Sequence, residues 1–241
     1  MYKSHRIAVI IPAYNEPGKT VRVVENIPRD LVDKTIVVND GSTDSTPREC
    51  EEAGAFLLHH ERRRGIGAAI RTGFRYALDN NFDILVAMAG NGKDDPKQIF
   101  RLVQPLVDEG YDFVQGSRYL RGGEAGVMPA HRRIVTRVYP LLVRLTTGFP
   151  ATDSTNGFRA FKRHVIEDPR INLDQDWLDD PLEYYLYLKI LKIRDFKVKE
   201  VPVSKIYPKG VPYHQYTKVR PGHDWIPRLL PLFYLTFGIK K

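Results

Sequence analysis

The chain has 241 residues, within the range of a single α/β domain with a substantial core. Its single cysteine, Cys50, excludes an internal disulfide and suits a reducing compartment, and no run approaches the ~18 apolar residues that open the case for a membrane span. The net charge of +8 is unevenly placed: from Lys189 to Lys241 twelve Lys/Arg stand against three Asp/Glu, a basic quarter that suits anionic lipid head groups, phosphorylated acceptors or nucleic acid, or a plain solvated surface.

In chain order, Ile7 to Ile11 (IAVII) is a predicted strand running into Pro12, Ala13, Tyr14, Asn15 and Glu16, with a helical pattern from Lys19. Ile36, Val37 and Val38 form a second strand of the kind buried on both faces. It stops at Asn39, Asp40, Gly41, Ser42, Thr43 and Asp44, after which Ser45 or Thr46 can cap a helix carrying Pro47 and Glu49 in its first turn. Turn formation alone explains one such loop. Two junctions of one design instead present Tyr14, Asn15, Glu16, Asp40 and Ser42 to the crevice at the carboxyl end of a parallel sheet, where ligands bind.

Pro-Ala-Tyr-Asn-Glu, followed by Val-Asn-Asp-Gly-Ser-Thr-Asp about 25 residues on, resembles the start of a family 2 glycosyltransferase with the GT-A fold. The resemblance implies a Rossmann-like, mostly parallel α/β sheet flanked by helices. It assigns the base and ribose of a nucleotide-sugar to Pro12, Ala13, Tyr14, Glu16, Asp40 and Ser42.

Phe56 to His59 is a third strand, and Arg62 to Gly67 leads into a helix from Ala68 to Leu78. Glycines before a helix N-terminus let backbone approach an anion, so Gly65 and Gly67 are candidate phosphate contacts, an element similar to one in the family; close packing is the competing account. Ile84 to Met88 is a fourth strand, ending in Ala89-Gly90-Asn91-Gly92-Lys93-Asp94-Asp95-Pro96 before a helix from Lys97 to Asp108. In the family this segment holds an Asp-x-Asp pair that binds a divalent cation, Mg²⁺ or Mn²⁺, on the donor diphosphate. Ala89 and Asn91 stand at those places here. Metal use is therefore expected to be weakened, with Asn91, Asp94 and Asp95 as the remaining ligands; alternatively Lys93 and nearby arginines neutralise the diphosphate directly.

Phe113 to Gln115 is a fifth strand, closed by Gly116, Ser117 and Arg118 and followed by a loop with Gly122, Gly123 and Gly126 that suits a lid or an ordinary surface loop. From Ala130 to Thr147, Ile134, Val138, Leu141, Leu142 and Leu145 share one helical face, and Arg133, Arg137 and Arg144 another, with Pro140 expected to kink the helix. Arg132 and Thr136 lie one turn apart and, with Arg118, would form a phosphate-binding group. That group resembles the dolichyl/polyprenyl-phosphate mannosyl- and glucosyltransferase branch of the family, which implies an acceptor-phosphate role for Arg118, Arg132 and Thr136. Asp153 to Arg159 (DSTNGFR) resembles the same branch, with Asp153 either positioning a substrate or pairing with Arg159. Asp179, Asp180 and Glu183 are read as capping carboxylates or, by a loose match, as a general base. Val198 to Val203 resembles the family's final strand.

The expected organisation is a GT-A domain over 1–206 and a C-terminal extension over 207–241 that suits a membrane surface, the domain itself or a second subunit. The expected function is inverting transfer from a UDP- or GDP-linked sugar to a polyprenyl-phosphate acceptor, with Arg118, Arg132 and Asp153 as the catalytic set. Transfer to a sugar hydroxyl of a growing polysaccharide and non-catalytic nucleotide-sugar binding are the alternatives. The expected partners are the nucleoside diphosphate sugar, a lipid-phosphate or glycan acceptor, an anionic membrane surface and a homodimer mate, without nucleic acid. No leader segment is expected, and the location is read as cytoplasmic or peripheral on the inner face of the membrane.

Overall fold

The computed structural model describes residues 1–207 and 225–240. Its strands are β1 (Ile7–Ala13), β2 (Lys34–Asn39), β3 (Phe56–His59), β4 (Ile84–Ala87), β5 (Phe113–Ser117), β6 (Arg159–Lys162) and β7 (Val198–Pro202). They form one sheet in the order β3-β2-β1-β4-β6-β5-β7. Neighbours are parallel except where β6 pairs antiparallel with β4 and β5.

The helices are α1 (Thr20–Glu25), α2 (Thr46–Glu52), α3 (Ile66–Asp79), α4 (Ile99–Asp108), α5 (Ala130–Thr147), α6 (Arg163–Ile166), α7 (Leu182–Lys192) and α8 (Trp225–Phe237). Alternate strand residues feed two cores, as a period of two requires. Ala8, Ile10, Ile36 and Val38 join the core beneath α3, α5 and α7, whereas Ile7, Val9, Ile11 and Val37 join the core beneath α1, α2 and α4. Ile36 to Val38 are fully buried, in keeping with a parallel strand covered on both faces.

The chain winds outward from β1 through β2 to β3 and then returns to place β4 on the other side of β1. This reversal opens a crevice beyond the carboxyl ends of β1 and β4. The sheet order thus puts Pro12, Ala13 and the segment after Ala87 at one mouth.

Packing decides two points that the sequence left open. The side of α5 that meets the domain carries Thr136, Tyr139, Pro140, Val143 and Thr147, so Ile134, Val138, Leu141, Leu142 and Leu145 lie on the opposite, exposed side; at 100° per residue the two stripes are roughly 180° apart. The glycine-rich loop after β5 is pinned rather than free-standing: Glu124 N donates to Val203 O at 3.1 Å and Lys205 N to Glu124 O at 2.8 Å. Of the expected extension over 207–241, residues 208–224 and 241 lie outside the described residues. Leu232 and Leu235 of α8 pack on the core shared with α7, and the Tyr234 and Trp177 rings meet edge-on at 5.3 Å.

The start of α3 is seated on the strand of backbone before α7. Gly67 N donates to Asp179 O at 2.8 Å, and a Cβ on Gly67 would stand 2.4 Å from Leu178 O and 2.7 Å from Asp179 O. Neither carbonyl belongs to a flexible side chain, so the backbones must separate. Gly67→Ala is expected to lose roughly 1–3 kcal/mol, read as a lower urea midpoint with unchanged slope.

Candidate active site

Three loops meet at the carboxyl end of β1 and β2. Asp40 N donates to Ala13 O at 2.8 Å. Asn15 N donates to Ser42 Oγ at 3.0 Å, Thr43 N to Asn15 Oδ1 at 2.9 Å, and Glu16 N to Thr46 Oγ1 at 2.9 Å. The two loops are therefore one stitched rim, which accounts for the polar residues at both junctions. Asp40 is buried and accepts from the Arg64 and Gly65 amides at 2.8 and 2.9 Å, and its carboxylate meets His60 Nδ1 at 2.8 Å. It ties the third loop to the rim and brings the Arg63 guanidinium 4.6 Å from the Tyr14 ring centroid.

The adjoining pocket is lined by Pro12 from β1, Met88, Ala89, Asn91 and Lys93 from the segment after β4, and Arg118, Arg132, Lys205 and Arg228. Ile66 and Ile70 of α3, with Asp180, Glu183 and Tyr184, close the far wall. Five cations from five separate chain segments converge there. Among the described residues, three pair with carboxylates. Arg118 is buried and forks onto Asp153, with Nε and Nη2 at 2.5 and 2.7 Å from the two carboxylate oxygens. Burial opposes its charge, but Asp153 more than offsets this and holds the guanidinium above its ordinary range. Lys205 pairs with Asp94, and Arg228 Nε lies 3.7 Å from Asp180.

Asp153 is itself fixed from behind by Glu200, which accepts from Thr152 N at 2.9 Å and from Asp153 N at 3.2 Å. Burial raises the Glu200 pKa above its ordinary value, against the lowering effect of these donors. The Asp153 partner is thus Arg118, the residue just past the end of β5. Arg159 instead donates to the carbonyls of Asn156 and Glu183.

The segment after β4 does not offer a divalent cation its usual ligands. Ala89 has no donor atom, and Asn91 Oδ1 lies 3.3 Å from the Lys93 amide. Asp94 turns inward, accepting from Ala89 N at 3.0 Å and pairing with Lys205. Asp95 caps the next turn by accepting from Lys97 N at 3.0 Å. Among the described residues no group of three or more His, Cys, Asp or Glu could hold a metal ion. Hard cations take several oxygen ligands, and here the nearest carboxylate serves an ammonium.

Of the residues singled out by sequence, Pro12, Asn91, Arg118 and Arg132 line the pocket. Ala13, Asp40, Ser42 and Asp153 build its supports. Glu16 pairs with Lys19 at 2.6 Å. Gly67 directs its amide to Asp179 rather than into the crevice, and a Cβ on Gly65 would reach within 2.9 Å of the same carbonyl, so close packing explains both glycines. Thr136 is buried with its hydroxyl 2.5 Å from Tyr119 Oη, away from the pocket lining. Asp179 serves Arg71 at 2.6 Å, while Asp180 and Glu183 reach the pocket wall. Sequence reading missed Lys205 and Arg228, each more than 100 residues from Lys93 in the chain, and no local pattern marks either.

The profile of glycosyl transferase family 2 matches residues 8–168. An undecaprenyl-phosphate mannosyltransferase from Micrococcus luteus is 32% identical over 182 residues, covering 70% of this chain and 70% of that one. A UDP-N-acetylglucosamine–dolichyl-phosphate N-acetylglucosaminyltransferase from Methanococcus voltae is 29% identical over 218 residues, covering 83% and 86%. Among solved structures, glucosyl-3-phosphoglycerate synthase from Mycobacterium tuberculosis in complex with Mn²⁺, UDP and phosphoglyceric acid superposes with a TM-score of 0.71 at 20% identity, over 99% of this chain and 80% of that one. The fold is GT-A, as the sequence motifs implied.

Lys93 is 4% exposed, and among the described residues its ammonium makes no salt bridge, although Asp94 and Glu16 lie near enough to favour its charge. Burial, reinforced by Arg132 and Lys205, pulls its pKa from 10.5 down to about 7. The unfolded chain therefore holds this proton more tightly between those values, so the cost to folding is full below pH 7 and fades as pH rises toward 10.5. At about 1.4 kcal/mol per unit, that cost is on the order of several kcal/mol. Lys93→Met is expected to raise Tm most at pH 6 to 7 and scarcely at pH 10, checked by scanning calorimetry across that range.

Proposed function

The chain belongs to glycosyl transferase family 2, and from that premise we propose that it moves a sugar from a nucleoside diphosphate donor to the phosphate of a polyprenyl-type lipid. The observation that carries this reading is the pocket itself: five basic side chains gathered at the switch point of the sheet. Such a site suits a substrate pair that brings three phosphates together.

The donor's nucleoside is assigned to the stitched rim of Tyr14, Asn15 and Ser42, beside the Arg63–Tyr14 stack, and its diphosphate to the cationic floor. UDP and GDP are the nucleotides to test. The acceptor phosphate is assigned to Arg132 and Arg118, the latter held in a single orientation by Asp153. The reaction is a single displacement with inversion. An oxygen of the ionised acceptor phosphate attacks the anomeric carbon as the bond from that carbon to the donor's β-phosphate oxygen breaks, and the electron pair leaves with the nucleoside diphosphate. No proton has to be removed from the nucleophile, so the step needs orientation and neutralisation of the leaving charge rather than a base. This agrees with a site whose best-placed carboxylates, Asp153 and Asp94, are already paired with cations.

A lipid acceptor also gives a role to the outer side of α5. Arg132 sits at its start in the pocket, while Ile134 and Leu145 are 62% and 83% exposed and Val138 and Leu141 lie exposed between them. Arg133, Arg137 and Arg144 flank this stripe. Apolar side chains edged by arginines suit the boundary of an anionic bilayer. Among the described residues no helix is long and apolar enough to cross a membrane, so the proposed attachment is from one side.

Product formation from labelled UDP- and GDP-sugars on a short polyprenyl phosphate tests the reading. Arg132→Ala is expected to lower kcat/KM on the order of 100-fold or more, as loss of a charge-assisted phosphate contact does. Activity on free glycans but not on the lipid phosphate would instead favour a hydroxyl acceptor, with Glu183 in the pocket wall as its base. The double variant Leu141→Glu, Leu145→Glu is expected to abolish sedimentation with phosphatidylglycerol vesicles while leaving thermal stability within about 0.5 kcal/mol, since both positions face solvent.

A further inference from the structure

We infer that the ammonium of Lys93 stands in for the divalent cation in this pocket, so that the donor's diphosphate is held and its leaving charge neutralised by protein cations alone. The inference rests on the nucleotide-sugar reading above and concerns the same site.

The geometry argues it in three steps. The segment from Ala89 to Asp95 follows β4, between β1 and β6, and so occupies the middle of the crevice mouth. Its potential oxygen ligands are engaged within the protein: Asp94 by Lys205 and Ala89 N, Asp95 by Lys97 N, and the neutral Asn91 Oδ1 by Lys93 N at 3.3 Å. A cation placed there would also sit among Lys93, Lys205 and Arg132, where burial, with repulsion from Arg132 and Lys205 added to it, already disfavours the charge on Lys93.

Lys93 is held in place with little freedom. Its carbonyl accepts from Ile206 N at 2.8 Å, and its Nζ lies 5.6 Å from the Tyr207 ring centroid. An ammonium buried to this degree is normally paired. Here Asp94, the neighbouring carboxylate, goes to Lys205, which leaves Lys93 directed into the pocket as one of its lining residues. The missing counter-charge is supplied when an anion enters. A diphosphate fits, because its two phosphoryl groups can meet Lys93 and the arginines together, and the charge that grows on the leaving oxygen falls to a donor already in position. The same arrangement disfavours a metal: Asp94 cannot serve both Lys205 and a cation without leaving one of them uncompensated.

The test is calorimetric titration of UDP and GDP into wild type, Lys93→Met and Lys93→Arg, each in EDTA and in Mn²⁺. The expected result is binding of at least one nucleotide in EDTA, with an affinity that Mn²⁺ changes by less than about threefold. Lys93→Met should weaken it on the order of tenfold or more, Mn²⁺ should not restore it, and Lys93→Arg should retain most of it. Because Lys93→Met is expected to fold at least as stably as wild type, its loss of binding cannot be ascribed to unfolding. Binding that appears only with Mn²⁺, or wild-type affinity in Lys93→Met, overturns the inference while leaving the nucleotide-sugar reading in place. Failure of both nucleotides under both conditions overturns that reading, and this inference with it.

Discussion

Positive charge gathered in one partly buried pocket is the constraint around which this site is arranged. Bringing Lys93, Arg118, Arg132, Lys205 and Arg228 together costs desolvation for each and repulsion among them, and a fold tolerates this only where counter-charges stand nearby. Asp153 meets Arg118, Asp94 meets Lys205 and Asp180 approaches Arg228. Lys93 gains no such partner from the described residues. Such a site suits an anionic ligand that would supply the counter-charge.

The supports behind these pairs explain why they are rigid. Glu200 on β7 holds the backbone of Thr152 and Asp153, Asp153 holds both the side chain and the amide of Arg118, and Arg118 also donates to Thr155. This chain of contacts runs across the antiparallel exception in the sheet. β6 lies between β4 and β5, so the loop that precedes it approaches the crevice from the same end as the loops that follow its two neighbours. A wholly parallel arrangement would have placed the DSTNGFR segment at the opposite edge. The departure from parallel order is what brings Asp153 to Arg118.

α5 joins the two halves of the proposed reaction in one element. Its inner face, through Tyr139, Val143 and Thr147, is packed on the domain; its first turn supplies Arg132 to the pocket; and its outer face is apolar and exposed. α7 packs beside it and α8 covers α7. An acceptor with an apolar tail and a phosphate head matches that order of surfaces, tail along the outside and head toward the guanidinium.

Local pattern determined much of this protein by itself. Runs such as IAVII and TIVVN read as strands and the polar clusters after them as loops, and the Pro-Ala-Tyr-Asn-Glu and Asn-Asp-Gly-Ser motifs marked the family, because these features involve residues adjacent in the chain. Helical periodicity likewise located α5 to the residue but could not say which of its two stripes faces the core, since that depends on what a distant segment presents to it. The same limit applies to pairing. Asp153 lies six residues from Arg159 yet bonds Arg118, Gly67 lies at a helix start yet serves Asp179 O, and Lys93 stands beside Asp94 yet loses it to Lys205. Counter-charges and backbone contacts are chosen by distance in space, and only the folded sheet, with its switch between β1 and β4 and its one reversed strand, decided those distances.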